Sequence, residues 1–351
     1  MSGAQTYRDD IQGLRALAVV PVVLYHADDR LLPGGFVGVD IFFVISGFLI
    51  TQILLREIAN GTFSLRGFYE RRVRRLFPAL YAMLAATLIW GYMILSPADF
   101  RELALTALAT VVFASNAMFL SLSDYFDGPA ELKPLLHTWS LAVEEQFYLL
   151  FPLVLIAIAR FAPRLLKPLL WIALILSLAL CIRATRSFQA AAFYLPMTRA
   201  WELLAGAVLA AGAVPACRTR LSRDVLSVLG LLLIAGSLLF IDKSMRFPGA
   251  FPLFPVLGAA LVIHAGQGGE SIGGRVLSLA PLVWIGALSY SLYLWHWPPI
   301  AFARYTTIGE PDPARLWLAA AISLPLAVAS LYWIERPMLK AKLSGRAILQ
   351  G

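Results

Sequence analysis

Residues 35–55 read GFVGVDIFFVISGFLITQILL, a run of 21 residues in which Asp40 is the only charged side chain. A helix of that length spans roughly 30 Å, the thickness of the hydrocarbon layer of a bilayer. Similar blocks recur along the 351 residues, of which 60% are hydrophobic and 14% charged, with a mean hydropathy of +0.75. Because a soluble domain has about 25% charged residues, the sequence predicts an all-α, polytopic membrane protein.

Eleven apolar blocks can be marked along the chain, with boundaries good to a few residues. They cover residues 12–27, 35–55, 78–96, 102–122, 138–159, 168–182, 196–214, 225–241, 250–266, 280–303 and 315–334. Positive charge favours the cytoplasmic side of a membrane. The strongest basic cluster follows the second block and consists of Arg66, Arg71, Arg72, Arg74 and Arg75. We therefore expect that loop and the N-terminus to be cytoplasmic.

The same charge rule favours ten spans over eleven. With eleven crossings, three basic groups would lie outside, at residues 160–167, 218–223 and 336–346. All three move inside if one block near 102–143 is a re-entrant or surface segment, and the acidic loop with Asp124, Asp127 and Glu131 then lies outside. We therefore predict a transmembrane helical bundle of about 10 spans, with 11 as the alternative, and both termini in the cytoplasm.

The net charge of +8 comes from 29 basic and 21 acidic residues, and most of the excess flanks apolar blocks. Because membrane orientation accounts for this excess of positive charge, no nucleic-acid partner is expected. Two cysteines, Cys181 and Cys217, are too few for a disulfide framework or a cysteine metal site. No metal is predicted.

The first two blocks carry ionisable groups that are expensive to place in lipid. Arg15 and His26 are eleven residues apart, so a helix puts them on nearly the same face about 16 Å apart. An imidazole is well suited to take a proton from a hydroxyl near neutral pH. Asp40 is expected at a similar depth, where its carboxylate could orient His26. The alternatives are that Arg15 reaches the headgroups, His26 ends the helix, and Asp40 complements the helix dipole.

The cytoplasmic run Tyr69 to Arg75 contains two overlapping Arg-x-x-Arg pairs, formed by Arg71, Arg72, Arg74 and Arg75. Guanidinium groups that share a helix face suit phosphate oxygens. The alternative is that they bind anionic lipid or only set the topology.

A polar stripe precedes and enters the fifth block. His137, Ser140, Glu144 and Tyr148 recur at spacings of three, four and four residues, which places them on one helix face. Glu145 points about 100° away from Glu144, so one acid is expected to face a cavity and the other a different partner. The alternative is a buried polar lock between helices.

The tenth block contains SYSLYLWHWP at residues 289–298, where aromatic residues surround His296. Tryptophans such as Trp297 are typical of a membrane interface. For His296 a structural hydrogen-bonding role is favoured.

These motifs, in this order, resemble the acyltransferase family 3 membrane proteins, which O-acylate bacterial surface glycans. The resemblance is nearest to the branch that acetylates O-antigen and peptidoglycan. It extends over nearly the whole chain, at residues 7–26, 34–47, 68–75, 135–148, 289–298 and 334–337. Residues 1–340 are then the acyltransferase domain and residues 341–351 a short basic cytoplasmic tail.

The resemblance implies a bacterial inner-membrane enzyme that contacts membrane lipids and takes acetyl-CoA, or another acyl-CoA, from the cytoplasm. It would pass the acyl group through the membrane to a sugar hydroxyl of lipopolysaccharide O-antigen, exopolysaccharide or peptidoglycan. Arg15 and His26 match the Arg-x10-His motif of the family, and the arginines from Arg71 to Arg75 match the motif linked to the acyl donor. Many relatives carry a further SGNH domain after the Glu-Arg-Pro segment. None is expected within these 351 residues, and both a stand-alone enzyme and a chain that ends before such a domain stay open.

The mechanistic hypothesis is that His26 takes the proton of the sugar hydroxyl while the oxygen attacks the thioester. Asp40, Glu144 or Glu145 would orient the imidazole, and an acyl-histidine step stays open. Side chains that could contact the substrate or stabilise the oxyanion are His137, Ser140, Tyr148, Tyr290, His296 and Trp297. The alternatives are a transporter or flippase and a non-enzymatic subunit. A homo-oligomer also stays open.

Overall fold

The computed structural model describes residues 8–123, 129–307, 309 and 312–340. Within these ranges the regular elements are helices, and no β-strand occurs. The all-α prediction is confirmed for this part of the chain. The predictions that concern Tyr7, Asp124, Asp127 and the tail at 341–351 lie outside the described residues.

The described ranges contain fifteen α-helices, numbered here in chain order. They are α1 Asp9–Ala27, α2 Gly38–Ala59, α3 Leu65–Ile94, α4 Pro97–Val111, α5 Ser115–Ser121, α6 Thr138–Phe161, α7 Leu166–Ser187, α8 Gln189–Tyr194, α9 Pro196–Ala210, α10 Arg220–Phe240, α11 Leu253–Gln267, α12 Ile272–Leu277, α13 Ala280–Tyr305, α14 Pro313–Ala329 and α15 Arg336–Lys340. Short 3₁₀ turns lie at Gly35–Val37, Ala130–Leu132 and Pro163–Leu165, and a π-helix at Ser330–Glu335 joins α14 to α15.

Each predicted apolar block corresponds to a helix except the fourth, which is broken. Residues 102–122 are divided between α4, with 15 residues, and α5, with seven. Phe113 separates them with a φ of 53°, in the left-handed region that bulky residues rarely adopt. At 1.5 Å per residue α4 is about 22 Å long, too short to cross the hydrocarbon layer alone. This is the segment for which the charge rule predicts a re-entrant or surface position, which stays a prediction.

Six of the described helical segments are long and apolar enough to cross a membrane, judged by length and composition alone. They are Gly35–Ala59, Leu65–Ile94, Thr138–Phe161, Pro163–Ser187, Arg220–Phe240 and Pro313–Lys340. The predicted count of about 10 spans is therefore not confirmed and stays a prediction. Two other helices that match predicted blocks, α9 and α11, have only 15 residues each, and α1 includes Asp9, Asp10 and Arg15. Helix α13 has 26 residues, but it is interrupted by polar and aromatic side chains from Ser289 to Trp297 and is not among the six.

The chain divides into two compact units, and the boundaries between them fall within α2, α6 and α13. The first unit comprises Met1–Ile53 and Val143–Ser289, and the second comprises Leu54–Ala142 and Tyr290–Gly351. In the first unit, α10 packs on α11 and α7 packs on α9. Its core includes Ile41, Phe48, Trp201, Ile234 and Val262.

Two glycines of the first unit bring the backbones of α2 and α9 together. A Cβ atom on Gly206 would overlap the carbonyl oxygen of Val44 and the amide nitrogen of Phe48. A Cβ atom on Gly47 would overlap the backbone of Leu203. Small residues allow this kind of close helix packing in membranes, and the contact holds the helix that carries Asp40 against α9.

We expect Gly206→Ala to lower the thermal unfolding temperature in detergent, because the added methyl group must push two backbones apart. Overpacking of this kind costs about 1–3 kcal/mol. Gly236→Ala in α10 is the matched control, since, apart from its chain neighbours and the adjacent backbone of α10, no described atom lies within 4 Å of the Cβ it would add. Equal unfolding temperatures for the two variants would contradict the close contact.

In the second unit, α3 packs against the π-helix and α15. The hydroxyl of Tyr290 in α13 donates to the carbonyl oxygen of Leu76 in α3 at 2.8 Å. Glu335 of the π-helix is buried and accepts hydrogen bonds from Ser291 of α13 and from Ser330. These contacts position α3, the helix with the arginine pairs.

Candidate functional site

The predicted site residues fall into two sets, one in each compact unit. In the first unit, α1 is continuous from Asp9 to Ala27, so the predicted helical spacing of Arg15 and His26 is confirmed. Both side chains are half-buried, and Nη1 of Arg15 donates to Oε1 of Gln12 at 3.2 Å. The His26 ring meets the ring of Tyr25 edge-on, with centroids 5.3 Å apart. The arrangement presents an imidazole and a cation on one helix face, while their catalytic roles stay predictions.

The first unit also encloses a triad formed by Asp40 of α2 and by Arg199 and Glu202 of α9, with each side chain at most 1% exposed. Nη2 of Arg199 lies 2.5 Å from Oδ1 of Asp40 and 3.1 Å from Oε2 of Glu202. Nε of Arg199 lies 2.7 Å from Oε1 of Glu202. Because Arg199 and Glu202 are three residues apart, a single helical turn brings them to one face.

Three phenyl rings lie around the Arg199 guanidinium. The Cζ atom is 5.7 Å from the ring centroid of Phe43, 5.6 Å from that of Phe193 and 5.7 Å from that of Phe247. A cation that is removed from water is stabilised by aromatic faces at this range. The triad is therefore enclosed by apolar side chains, where its charges interact strongly.

The triad corrects the partner predicted for Asp40. Oδ1 of Asp40 accepts from Arg199, and Oδ2 has no hydrogen-bond partner among the described residues, so Asp40 does not orient His26 in this structure. A buried guanidinium attracts a carboxylate more strongly than a neutral imidazole does, because the interaction of two full charges grows at low dielectric.

Arg199 and Glu202 are not among the residues selected from the sequence. The sequence feature that indicates them is a pair of opposite charges, three residues apart, inside the apolar block 196–214. Ionisable residues in such a block are expensive in lipid unless they are paired. Applying that criterion to every block would have found them.

The acids of α6 that belong to the first unit are half-buried. The hydroxyl of Tyr148, one turn further along, donates to Oε1 of Glu144. The single O–H of Tyr148 is thus engaged, and this residue could act as an oxyanion donor only after releasing Glu144. Glu145 is also half-buried. Whether Glu144 or Glu145 orients His26 stays a prediction.

In the second unit, α3 begins at a cap in which Oγ of Ser64 accepts from the amide of Gly67 at 3.2 Å. Arg71 binds Glu57 at 2.7 Å, and Arg74 binds Glu70 at 2.6 Å. The Arg71–Glu57 pair is exposed and the Arg74–Glu70 pair is partly exposed, and ion pairs at such positions contribute about 0–1 kcal/mol. A phosphate group could therefore displace these carboxylates.

The other basic residues of α3 differ in exposure. Arg72 and Tyr69 are half-buried, and Arg66 and Arg75 are exposed. Neither Arg66 nor Arg75 forms an ion pair within the part of the chain that the structure describes. The N-terminal part of α3 thus has two guanidinium groups without an ion pair among the described residues and two whose carboxylate partners a phosphate could displace.

Other predicted residues of the second unit gather around Tyr293. Its hydroxyl donates to the carbonyl oxygen of His137 at 2.9 Å and lies 2.6 Å from Oγ of Ser140. Nδ1 of His296 lies 2.7 Å from the carbonyl oxygen of Tyr293. The rings of His137 and His296 are 5.6 Å apart. His296 thus contacts a carbonyl oxygen of its own helix, and the structural role predicted for it stays a prediction.

Two predicted oxyanion donors are engaged with carbonyl oxygens in the second unit. Nε1 of Trp297 donates to Lys133 at 2.8 Å, and the hydroxyl of Tyr290 donates to Leu76 at 2.8 Å. Each group has one hydrogen to donate. Each residue could therefore stabilise an oxyanion only after releasing its carbonyl partner, and the oxyanion role of both stays a prediction.

Comparison with known proteins agrees with the motifs. A family model described as "Acyltransferase domain" matches residues 8–336. The chain is 33% identical to the "Peptidoglycan O-acetyltransferase OatA" of Listeria monocytogenes, over 96% of this chain and 56% of that protein. It is 34% identical to the "O-acetyltransferase OatA" of Staphylococcus aureus, over 98% of this chain and 59% of that protein.

The chain therefore spans little more than half the length of these curated relatives. No solved structure matches it. The family match covers nearly every helix of both units and confirms the resemblance that the motifs predict: the chain belongs to the acyltransferase family 3.

Proposed function

We propose that this protein is a membrane O-acetyltransferase that acylates a sugar hydroxyl of a bacterial cell-wall glycan. The observation that carries the proposal is the family match over residues 8–336, within which Arg15 and His26 lie on one continuous helix. Peptidoglycan is the first acceptor to test, because one of the relatives is named for it. Lipopolysaccharide O-antigen and exopolysaccharide are the other acceptors.

His26 is the proposed general base. A sugar hydroxyl is a weak nucleophile, and an imidazole that is neutral near pH 7 can take its proton as the oxygen attacks the acyl carbonyl carbon. The half-buried position of His26 leaves the ring partly shielded from water. Arg15 supplies a positive charge on the same helix face.

The proposed donor is an acyl-CoA, with acetyl-CoA first. Its phosphates would bind the basic residues of α3, since guanidinium groups bind phosphate through two parallel hydrogen bonds. Support comes from the exposed Arg75 and from the exchangeable pairs of Arg71 and Arg74. The positive charge of this helix favours the cytoplasmic side of the inner membrane.

The test supplies acetyl-CoA with a labelled acetyl group to membranes that contain or lack the protein, followed by mass analysis of the envelope glycans. We expect a base-labile acetyl group on peptidoglycan only when the protein is present. Label on another glycan would support the proposed transferase activity but would identify a different acceptor. Transfer from a different acyl donor alone would reject acyl-CoA, and no protein-dependent acyl group on any glycan would reject the proposal.

A further inference from the structure

The triad of Asp40, Arg199 and Glu202 has an unbalanced charge when all three groups are ionised. Two carboxylates and one guanidinium leave one negative charge in a place where no member is more than 1% exposed. A buried charge without a counter-charge is strongly unfavourable, and such groups usually become neutral instead. Some further positive species must therefore balance the triad.

The two carboxylates are also held close together. Oδ1 of Asp40 and Oε2 of Glu202 both lie within hydrogen-bond distance of one atom, Nη2 of Arg199. Carboxylates that share a site in this way repel each other when both are ionised, so one of them keeps its proton. The phenyl rings of Phe43, Phe193 and Phe247 around the guanidinium exclude water that would screen this repulsion.

Among the described residues, no neighbouring group supplies the balancing charge. The other titratable group that interacts with Arg199 is the thiol of Cys181 in α7, which is buried and lies 3.7 Å from the carbonyl oxygen of Gly249. A thiol is neutral or negative, so it cannot balance a negative triad. Oδ2 of Asp40 and Oε1 of Glu202 lack a hydrogen-bond partner among the described residues, so each acid has an oxygen that can carry a proton.

We propose that Asp40 and Glu202 bind one proton between them, so that the triad is neutral in the folded protein. The site takes a proton rather than a metal ion, because the guanidinium already lies within 3.1 Å of one oxygen of Asp40 and of both oxygens of Glu202. Among the described residues, no group of three or more His, Cys, Asp or Glu side chains could hold a metal ion. This inference concerns the first unit alone and stands whether or not the protein is a transferase.

The test is infrared spectroscopy of the purified full chain in detergent at neutral pH, as difference spectra between variants and the unsubstituted protein. A protonated carboxyl group has a carbonyl band that shifts in D₂O. We expect Asp40→Asn and Glu202→Gln each to remove one such band, because the remaining acid then ionises against Arg199. Glu270→Gln, at an exposed acid, is the matched control and should remove none.

A second measurement does not depend on those variants. Arg199→Gln removes the positive charge, so both acids should be protonated and the band should grow to about twice its size in the folded fraction. The proposal is overturned if the spectra of Asp40→Asn and Glu202→Gln show no loss of a carboxyl band. It is also overturned if the unfolding temperature rises with sodium at constant ionic strength, because a metal cation would then balance the triad.

Discussion

His26→Ala is expected to reduce acetyl transfer by about 10²–10⁴-fold, the usual contribution of a positioned general base. Without a base to accept its proton, the hydroxyl is a weaker nucleophile, so its attack on the acyl carbonyl carbon is slower. His26 is half-buried near the end of α1 and contacts Tyr25, so its replacement removes a ring at the surface of the fold rather than a core side chain. Acyl-CoA binding and the unfolding temperature should change little.

The measurement is the rate of base-labile acetyl incorporation per amount of membrane-inserted protein, together with the stabilisation that CoA gives in detergent. His264→Gln in α11 is the matched control, because it replaces another histidine of the first unit to which no role is assigned. Transfer at the unsubstituted rate by His26→Ala would eliminate His26 as the base. If CoA no longer stabilises that variant, His26 instead contributes to binding of the acyl donor.

The long helices could be predicted from the sequence, because a run of about 20 apolar residues in a membrane must satisfy its own backbone hydrogen bonds and therefore forms a helix. Arg15 and His26 were found for a similar reason, since their spacing depends on local helix geometry alone. The short helices α8 and α12 were not predicted, because six residues are too few to show a periodic pattern.

The pairing of side chains could not be read in the same way. Asp40 has a neighbour of opposite charge 159 residues further along the chain, and nothing in a local pattern indicates that distance. Arg71 likewise finds Glu57 across the turn before α3. Tyr290 and Trp297 bind carbonyl oxygens, which every residue offers, so their partners depend on the packing of helices.

Arg199→Met is expected to be the most destabilising single change in the first unit. Removing one member of a buried ionic group typically costs about 3–5 kcal/mol, because the groups left behind have lost both water and their counter-charge. The methionine fills similar space among Phe43, Phe193 and Phe247 but offers no hydrogen bond to Asp40 or Glu202. The measurement is thermal unfolding in detergent, with the amount of folded protein in membranes as a second readout.

Arg183→Met in α7 is the matched control, since it makes the same substitution at an exposed arginine of the same unit and should shift the unfolding temperature little. The triple variant Arg199→Met, Asp40→Asn, Glu202→Gln should recover part of the loss, because it removes two acids that stay buried without Arg199 only by taking up protons at neutral pH, and leaves amide groups that need hydrogen bonds. If Arg199→Met unfolds at the temperature of the control, the triad does not hold α2 against α9. If the triple variant is no more stable than Arg199→Met, the loss comes from the packing of the guanidinium rather than from its charge.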